Sequence, residues 1–286
     1  MPFDSALPAW SRRRLILAGL GAICFRAYAA EEGLPHVRIL FLGNSYTANN
    51  GLPAIVGELL LSSKVLAPHI GSYLVGSYML QQHAMDPNAL ALLKQGADDG
   101  KPWDVVVVQE QSVISSLAGI DSEAQLYMSG GLSKLVALAR EVNPQMLVVD
   151  FQVWARHESL WKQNKKDALS TGANPDEAHA RIRLANVKAV QSAVAQNPGA
   201  NVIVSPVGDF WRLVQDIYPA LPLHAEDGTH PDMLGSILSA LVIAGSIGGR
   251  NVIEQSNWTG DCPPSQVERV KKVLLDHPEV FKNAGK

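Results

Sequence analysis

The sequence predicts one three-layer α/β domain over residues 30–286, built on a mainly parallel five-stranded sheet and preceded by an N-terminal export signal, residues 1–29. Three observations carry this expectation. Short apolar runs rich in strand formers recur along the chain, each stops at small or polar residues, and each is followed by a stretch with helical periodicity. Strands that alternate with helices pair in parallel, because a parallel neighbour needs a crossover connection. Composition agrees: 47% hydrophobic and 18% charged, with 23 Gly and 17 Pro, is ordinary for a globular chain with one large core. A net charge of −3 with no basic cluster beyond residue 14 argues against a nucleic-acid surface.

The first segment reads as a targeting sequence. Ser11-Arg12-Arg13-Arg14 precedes the apolar run Leu15 to Ile23, and Ala27-Tyr28-Ala29 supplies an A-x-A site. The paired arginines resemble a twin-arginine signal, which carries folded proteins out of the cytoplasm. The run is too short for a permanent membrane span, so a periplasmic or secreted protein is expected. Cys24 as a lipid-anchored cysteine is disfavoured, because the residue before it, Ile23, is bulky. After cleavage only Cys262 would remain, so no intrachain disulfide is expected.

The strongest strand is Val37 to Leu42, continuous enough in apolar residues to be buried on both faces. It breaks at Gly43-Asn44-Ser45, and Leu52 onward has helical periodicity. Gly71 to Val75 is a weaker strand ending at Gly76-Ser77, followed by helix from about Gln81 to Gln95. Trp103 to Val108 is a clear strand that breaks at Gln109-Glu110-Gln111-Ser112. Glu123 to Val142 reads as a helix with Leu132, Leu135, Val136 and Ala139 on one stripe. Met146 to Phe151 is the next strand, and the polar stretch Trp154 to Ala173 is long enough to be a functional loop. Asn174-Pro175 opens a helix to about Gln196, and Asn201 to Ser205 is the last strand. A short helix over Phe210 to Ile217 precedes the loop His224 to Pro231. Pro231 at a first helical position opens an apolar helix to about Ile247. Pro263 to Lys286 reads as a peripheral helix with a frayed end.

Loops after parallel strands gather at the carboxyl edge of a sheet, where open α/β folds bind ligands. Ser45 therefore stands where a nucleophile would be exposed near backbone N–H groups able to hold an anion. The plainer reading is a polar turn that caps the next helix. Asp227 and His230 are three residues apart, close enough for the acid to orient the imidazole and stabilise its cation.

With these residues in their order, the chain resembles the SGNH, or GDSL-type, hydrolases over nearly all of residues 30–286. The first block of that family is matched by Gly43-Asn44-Ser45, and the last, D-x-x-H, by Asp227-Gly228-Thr229-His230. The resemblance implies a flavodoxin-like αβα sandwich and a catalytic set of Ser45, Asp227 and His230. It also implies an oxyanion hole from the Ser45 N–H, Gly76 and a third-block amide. Two departures stand out. Asn44 replaces the usual first-block Asp, and no Asn follows the third strand, where Gln111 takes its position and Gln109 is the fallback. The G-x-S-x-G elbow of α/β-hydrolases is absent, because Thr47 occupies the second glycine position.

The expected activity is ester hydrolysis through an acyl-enzyme, on a small-molecule or carbohydrate ester, with deacetylation of carbohydrate the first choice. O-acyl transfer with the same residues, and a catalytically silent carbohydrate-binding protein, are the alternatives. Trp154, Arg156 and Trp161 are candidate substrate contacts, although a Trp among apolar residues also serves packing. No cofactor is expected. His69, His83, His157, His179 and His224 lack ligand spacing such as H-E-x-x-H, so no metal site is expected either.

Overall fold

A computed structural model describes residues 22–27, 33–162 and 171–285. The chain begins with β1 (Ala22–Ala27), β2 (His36–Gly43), α1 (Ser45–Ala48), α2 (Leu52–Ser63) and β3 (Ala67–Leu74). Next come α3 (Leu80–His83), α4 (Pro87–Gln95), β4 (Val105–Val108), α5 (Ser112–Ala118), α6 (Ser122–Val142) and β5 (Leu147–Phe151). The second half holds α7 (Ser159–Lys162), α8 (Pro175–Gln196), β6 (Asn201–Ser205), α9 (Val207–Ile217) and α10 (Met233–Gly248). It ends with α11 (Arg250–Gln255), α12 (Pro264–Asp276) and α13 (Pro278–Asn283).

The strands form a sheet in the order β1-β3-β2-β4-β5-β6. From β3 to β6 every pairing is parallel, which gives the five expected strands in flavodoxin-like order. The sixth strand is the difference. Residues of β1, from the segment expected to be an export signal, run antiparallel along β3 from Ala22 opposite Leu74 to Ala27 opposite His69. Arg26 adds an ion pair to Glu58 of α2 at 2.7 Å. The paired arginines of that segment lie outside the described residues.

Alternation along the strands divides the core in two. Val37, Ile39, Phe41, Val105, Val107, Val149 and Phe151 pack with α2, α9, α10 and α12. Leu40, Leu42, Val106, Val108 and Val148 face the other way, toward α4, α6 and α8. The central helix α10 buries residues all round its surface, because it is covered by α12 as well as the sheet. Residues Val267, Val270, Val273 and Leu274 make α12 part of the core, so the expected peripheral tail is instead a covering layer.

Several boundaries move for local reasons. β3 starts four residues before the expected Gly71, since pairing with β2 overrides the poor strand propensity of Pro68 and His69. Gly71 itself is required there: a Cβ would come within 2.4 Å of the Trp103 ring. The helix expected over Gln81 to Gln95 is two helices, because Asp86 caps Asn88 and Pro87 starts a new first turn. The expected helix at Pro231 begins at Met233 instead. Pro231 bridges His224, and Asp232 donates to the Leu223 carbonyl at 2.8 Å, which closes the preceding loop as a narrow turn. Among the described residues, no helix is long and apolar enough to cross a membrane.

Candidate active site

The register sets the site's geometry. Leu42 pairs with both Tyr73 and Val108, so the loops after β2, β3 and β4 emerge side by side at one sheet edge. The turn after β2 is tightly specified. A Cβ on Gly43 would meet the Thr47 hydroxyl at 2.4 Å, so the strand can pass into α1 here only as glycine. Asn44 is 3% exposed and caps α1, its Oδ1 accepting from the Tyr46 N–H at 3.1 Å. Its Nδ2 donates to the Tyr78 carbonyl at 2.9 Å, which ties this turn to the loop that carries Gly76. That second bond needs a donor, so the amide fits where a carboxylate would face a carbonyl oxygen.

Ser45 opens α1, a position whose N–H has no helical acceptor. Its Oγ lies 2.9 Å from His230 Nε2, across 185 residues of sequence. His230 Nδ1 lies 2.6 Å from Asp227 Oδ2. A carboxylate only accepts, so Nδ1 carries the proton and Nε2 is left to accept from the serine hydroxyl. Asp227 Oδ1 accepts from the Thr229 N–H at 2.8 Å and the His230 N–H at 2.9 Å, and Gly228 permits this turn at φ +69°. Burial raises the Asp227 pKa, but the hydrogen bonds from the His230 ring and these two N–H groups outweigh it and bring it to about 2.

Beneath this chain lies an aromatic stack. Tyr46 makes an edge contact with His230 at 5.3 Å between centroids and stacks on Trp154 at 4.7 Å. Trp154 in turn stacks on Trp211 at 4.0 Å. The Trp154 Nε1–H donates to the Thr229 carbonyl at 3.1 Å, holding the turn between Asp227 and His230 from below. At 2% exposed, Trp154 has no surface for a substrate, which corrects the contact expected of it. Trp161 is half-buried on α7, and its indole N–H donates to the Gly172 carbonyl at 2.9 Å. Arg156 is half-buried, with Nη2 donating to Ser112 Oγ at 3.0 Å.

The two glutamines after β4 have different surroundings. Gln109 is 1% exposed. Its Oε1 accepts from the Asn44 N–H at 3.1 Å and the Thr47 hydroxyl at 2.9 Å, and its Nε2 donates to the Glu110 carbonyl. The oxygen of that amide holds the Gly43–Thr47 turn, and its nitrogen is tied to the adjacent backbone. Gln111 uses only its oxygen, capping α5 through the N–H groups of Val113 at 2.7 Å and Ile114 at 3.1 Å. Among the described residues its Nε2 has no acceptor. Gly76 is exposed in the loop after β3.

Sequence reasoning missed Glu110 and Asp150. Both are buried, at 1% and 0% exposed, and Glu110 Oε1 accepts from the N–H groups of Gln111 at 2.6 Å and Leu80 at 3.3 Å. No motif marks them, because their burial follows from tertiary packing alone. At the opposite end of the strands His69, Asp98 and Asp99 bring three possible metal-ligand atoms within 4.8 Å of one another. There Arg38 engages both oxygens of Asp99, and Asp98 bonds His69 at 2.6 Å, so these groups satisfy each other in a hydrogen-bonded network.

No protein-family model matches the sequence, and no curated protein matches it. Solved structures do. A DUF4886 family protein from Bacteroides uniformis is 18% identical, superposes over 85% of this chain and 95% of its own, and has a TM-score of 0.60. A candidate SGNH hydrolase from Slackia heliotrinireducens is 25% identical over 74% of this chain and all of its own, with a TM-score of 0.52. A candidate GDSL-like lipase from Parabacteroides merdae is 19% identical over 76% and 97%, with a TM-score of 0.51. The chain has the fold of these SGNH-type proteins.

Proposed function

We propose that the protein is an exported serine esterase that uses Ser45, His230 and Asp227. The observation that carries this reading is the unbroken chain Ser45 Oγ, His230 Nε2, His230 Nδ1, Asp227 Oδ2, with successive distances of 2.9 and 2.6 Å. It stands at the sheet edge of a fold shared with candidate hydrolases of the SGNH kind. Ser45 attacks the ester carbonyl as His230 takes its proton, and Asp227 holds the imidazole in the accepting tautomer and balances its cation. The Ser45 N–H, the Gly76 N–H and the Gln111 amide stabilise the oxyanion. His230 then protonates the leaving alcohol, and water, activated by the same imidazole, releases the acid from Ser45. Acetylated carbohydrate is the proposed substrate, on the family resemblance and the expected export. The export signal is proposed to end after Ala29.

The test is labelling by a fluorophosphonate probe together with p-nitrophenyl acetate turnover. Both should disappear in Ser45→Ala while the melting temperature stays within about 2 °C, since a small turn hydroxyl holds little of the core. Labelling that survives in Ser45→Ala would place the nucleophile elsewhere, with Ser77 and Ser112 next to examine.

A further inference from the structure

Arg156 stands out from the other charges around the site. It follows β5 on the loop at the same sheet edge as Ser45, and it is half-buried. Arg38, Arg181, Arg212 and Arg250 each pair with a carboxylate. Arg156 pairs with none among the described residues, and its one hydrogen bond goes to the neutral hydroxyl of Ser112. Nearby acids are already engaged. Asp227 accepts from the His230 ring and two backbone N–H groups, and Glu158 pairs with Lys162 at 2.6 Å. The guanidinium is close enough to the buried Tyr46 hydroxyl to act on it electrostatically, and Tyr46 is the residue after the proposed nucleophile. A half-desolvated cation has thus been placed beside the reaction centre without an internal counter-ion. Ser112, whose oxygen accepts from Arg156, is itself buried beside the Tyr46 hydroxyl.

We infer that Arg156 receives a carboxylate carried by the ester substrate, so that the enzyme prefers acidic esters to neutral ones. The inference rests on the Ser45 reading for the position of the ester and narrows it to a substrate class. A planar guanidinium offers two parallel N–H groups to a carboxylate, and in a partly desolvated cleft that contact is stronger than a neutral hydrogen bond. Trp154 and Trp211, stacked under Tyr46, leave the loop little freedom to carry the charge away.

The experiment compares 4-acetoxybenzoate with its neutral methyl ester. In Arg156→Gln, the ratio of kcat/KM for the acid over the neutral ester should fall tenfold or more, with the loss mainly in KM. Arg156→Lys should recover part of the ratio, because it keeps the charge without the fork. A ratio unmoved by Arg156→Gln overturns the inference. A second measurement does not depend on turnover: calorimetric binding of 4-acetoxybenzoate to Ser45→Ala protein. Adding Arg156→Gln should weaken that binding about tenfold. If the native enzyme hydrolyses neither ester but this binding still depends on Arg156, the esterase reading fails and the carboxylate site stands. Binding indifferent to Arg156 overturns the site whatever the chemistry at Ser45.

Discussion

A serine hydroxyl is a weak nucleophile until a base removes its proton, and the tautomer of His230 decides whether it can. Asp227 fixes that tautomer by accepting from Nδ1, and its other oxygen is held by two backbone N–H groups, so the carboxylate cannot turn away. The same logic separates the two glutamines. Gln111→Ala should lower kcat on the order of a hundredfold with little change in KM, because its Nε2, without an acceptor among the described residues, would meet charge only once the oxyanion forms. The same change removes the cap of α5 and should cost about 1 kcal/mol in a denaturant melt. Gln109→Ala should show a different balance. It strands the Asn44 N–H and the Thr47 hydroxyl, so stability falls by about 1–3 kcal/mol and activity falls through the displaced turn. A large kcat loss in Gln109→Ala beside near-normal kcat in Gln111→Ala would reverse the assignment.

The elements that frame the site are held by buried titratable groups as well as by apolar packing. Glu110 joins the start of α3 to the loop after β4, and burial raises its pKa to about 7. Asp150, on the next strand and with no side-chain hydrogen-bond partner among the described residues, is raised well above the carboxylate range by burial and by Glu110. A carboxyl whose pKa rises on folding holds more protons folded than unfolded. Its stabilising share is therefore complete below about pH 4.5 and is lost as pH rises through about 7. His83 and His224, held neutral by burial with pKa near 4, act oppositely: the stability they contribute is lost as pH falls from about 6.5 toward 4. Glu110→Gln keeps an acceptor for Leu80 and Gln111 but cannot ionise. It should therefore be more stable than the native protein at pH 8, by at most about 3 kcal/mol, and the gain should shrink as pH falls and vanish below about pH 4.5. Urea melts across that range check it, and a gain independent of pH would mean that Glu110 ionises alike in the folded and unfolded chain. What was legible in the sequence follows the same division between local and tertiary causes. Val105–Val108 and Leu147–Phe151 announce themselves by apolar runs, and the Asp227–His230 pair by its spacing. β3 was only half legible, because Pro68, His69 and Gly71 make sense only beside β2 and Trp103. The engagement of Gln109 was hidden, because its partners lie 62 and 65 residues away. The packing role open to Trp154 from its apolar neighbours is the one it takes, with Tyr46 and Trp211 stacked on it.

At the scale of the whole molecule, the question is what bounds the sheet on the β3 side. β1 covers that edge, yet it lies within the segment proposed to be removed on export, so the precursor and the exported protein would differ by one strand. The five parallel strands carry both core layers without β1, so the processed chain should stay folded and active, with β3 as its edge. An open edge is a template for pairing between chains, and Pro68 at the start of β3 removes one donor from it. In an antiparallel ladder the N–H groups of β3 alternate between its two neighbours. Hydrogen exchange should therefore split the strand when β1 is removed. Among residues 69–74, amides bonded toward β1 should exchange much faster in the processed protein, while those bonded toward β2 should keep their protection. The mass of the exported chain should show Ala30 as its first residue. If the exported protein retains Ala22–Ala27 and all of β3 stays protected, the segment is part of the mature fold and the cleavage proposal fails.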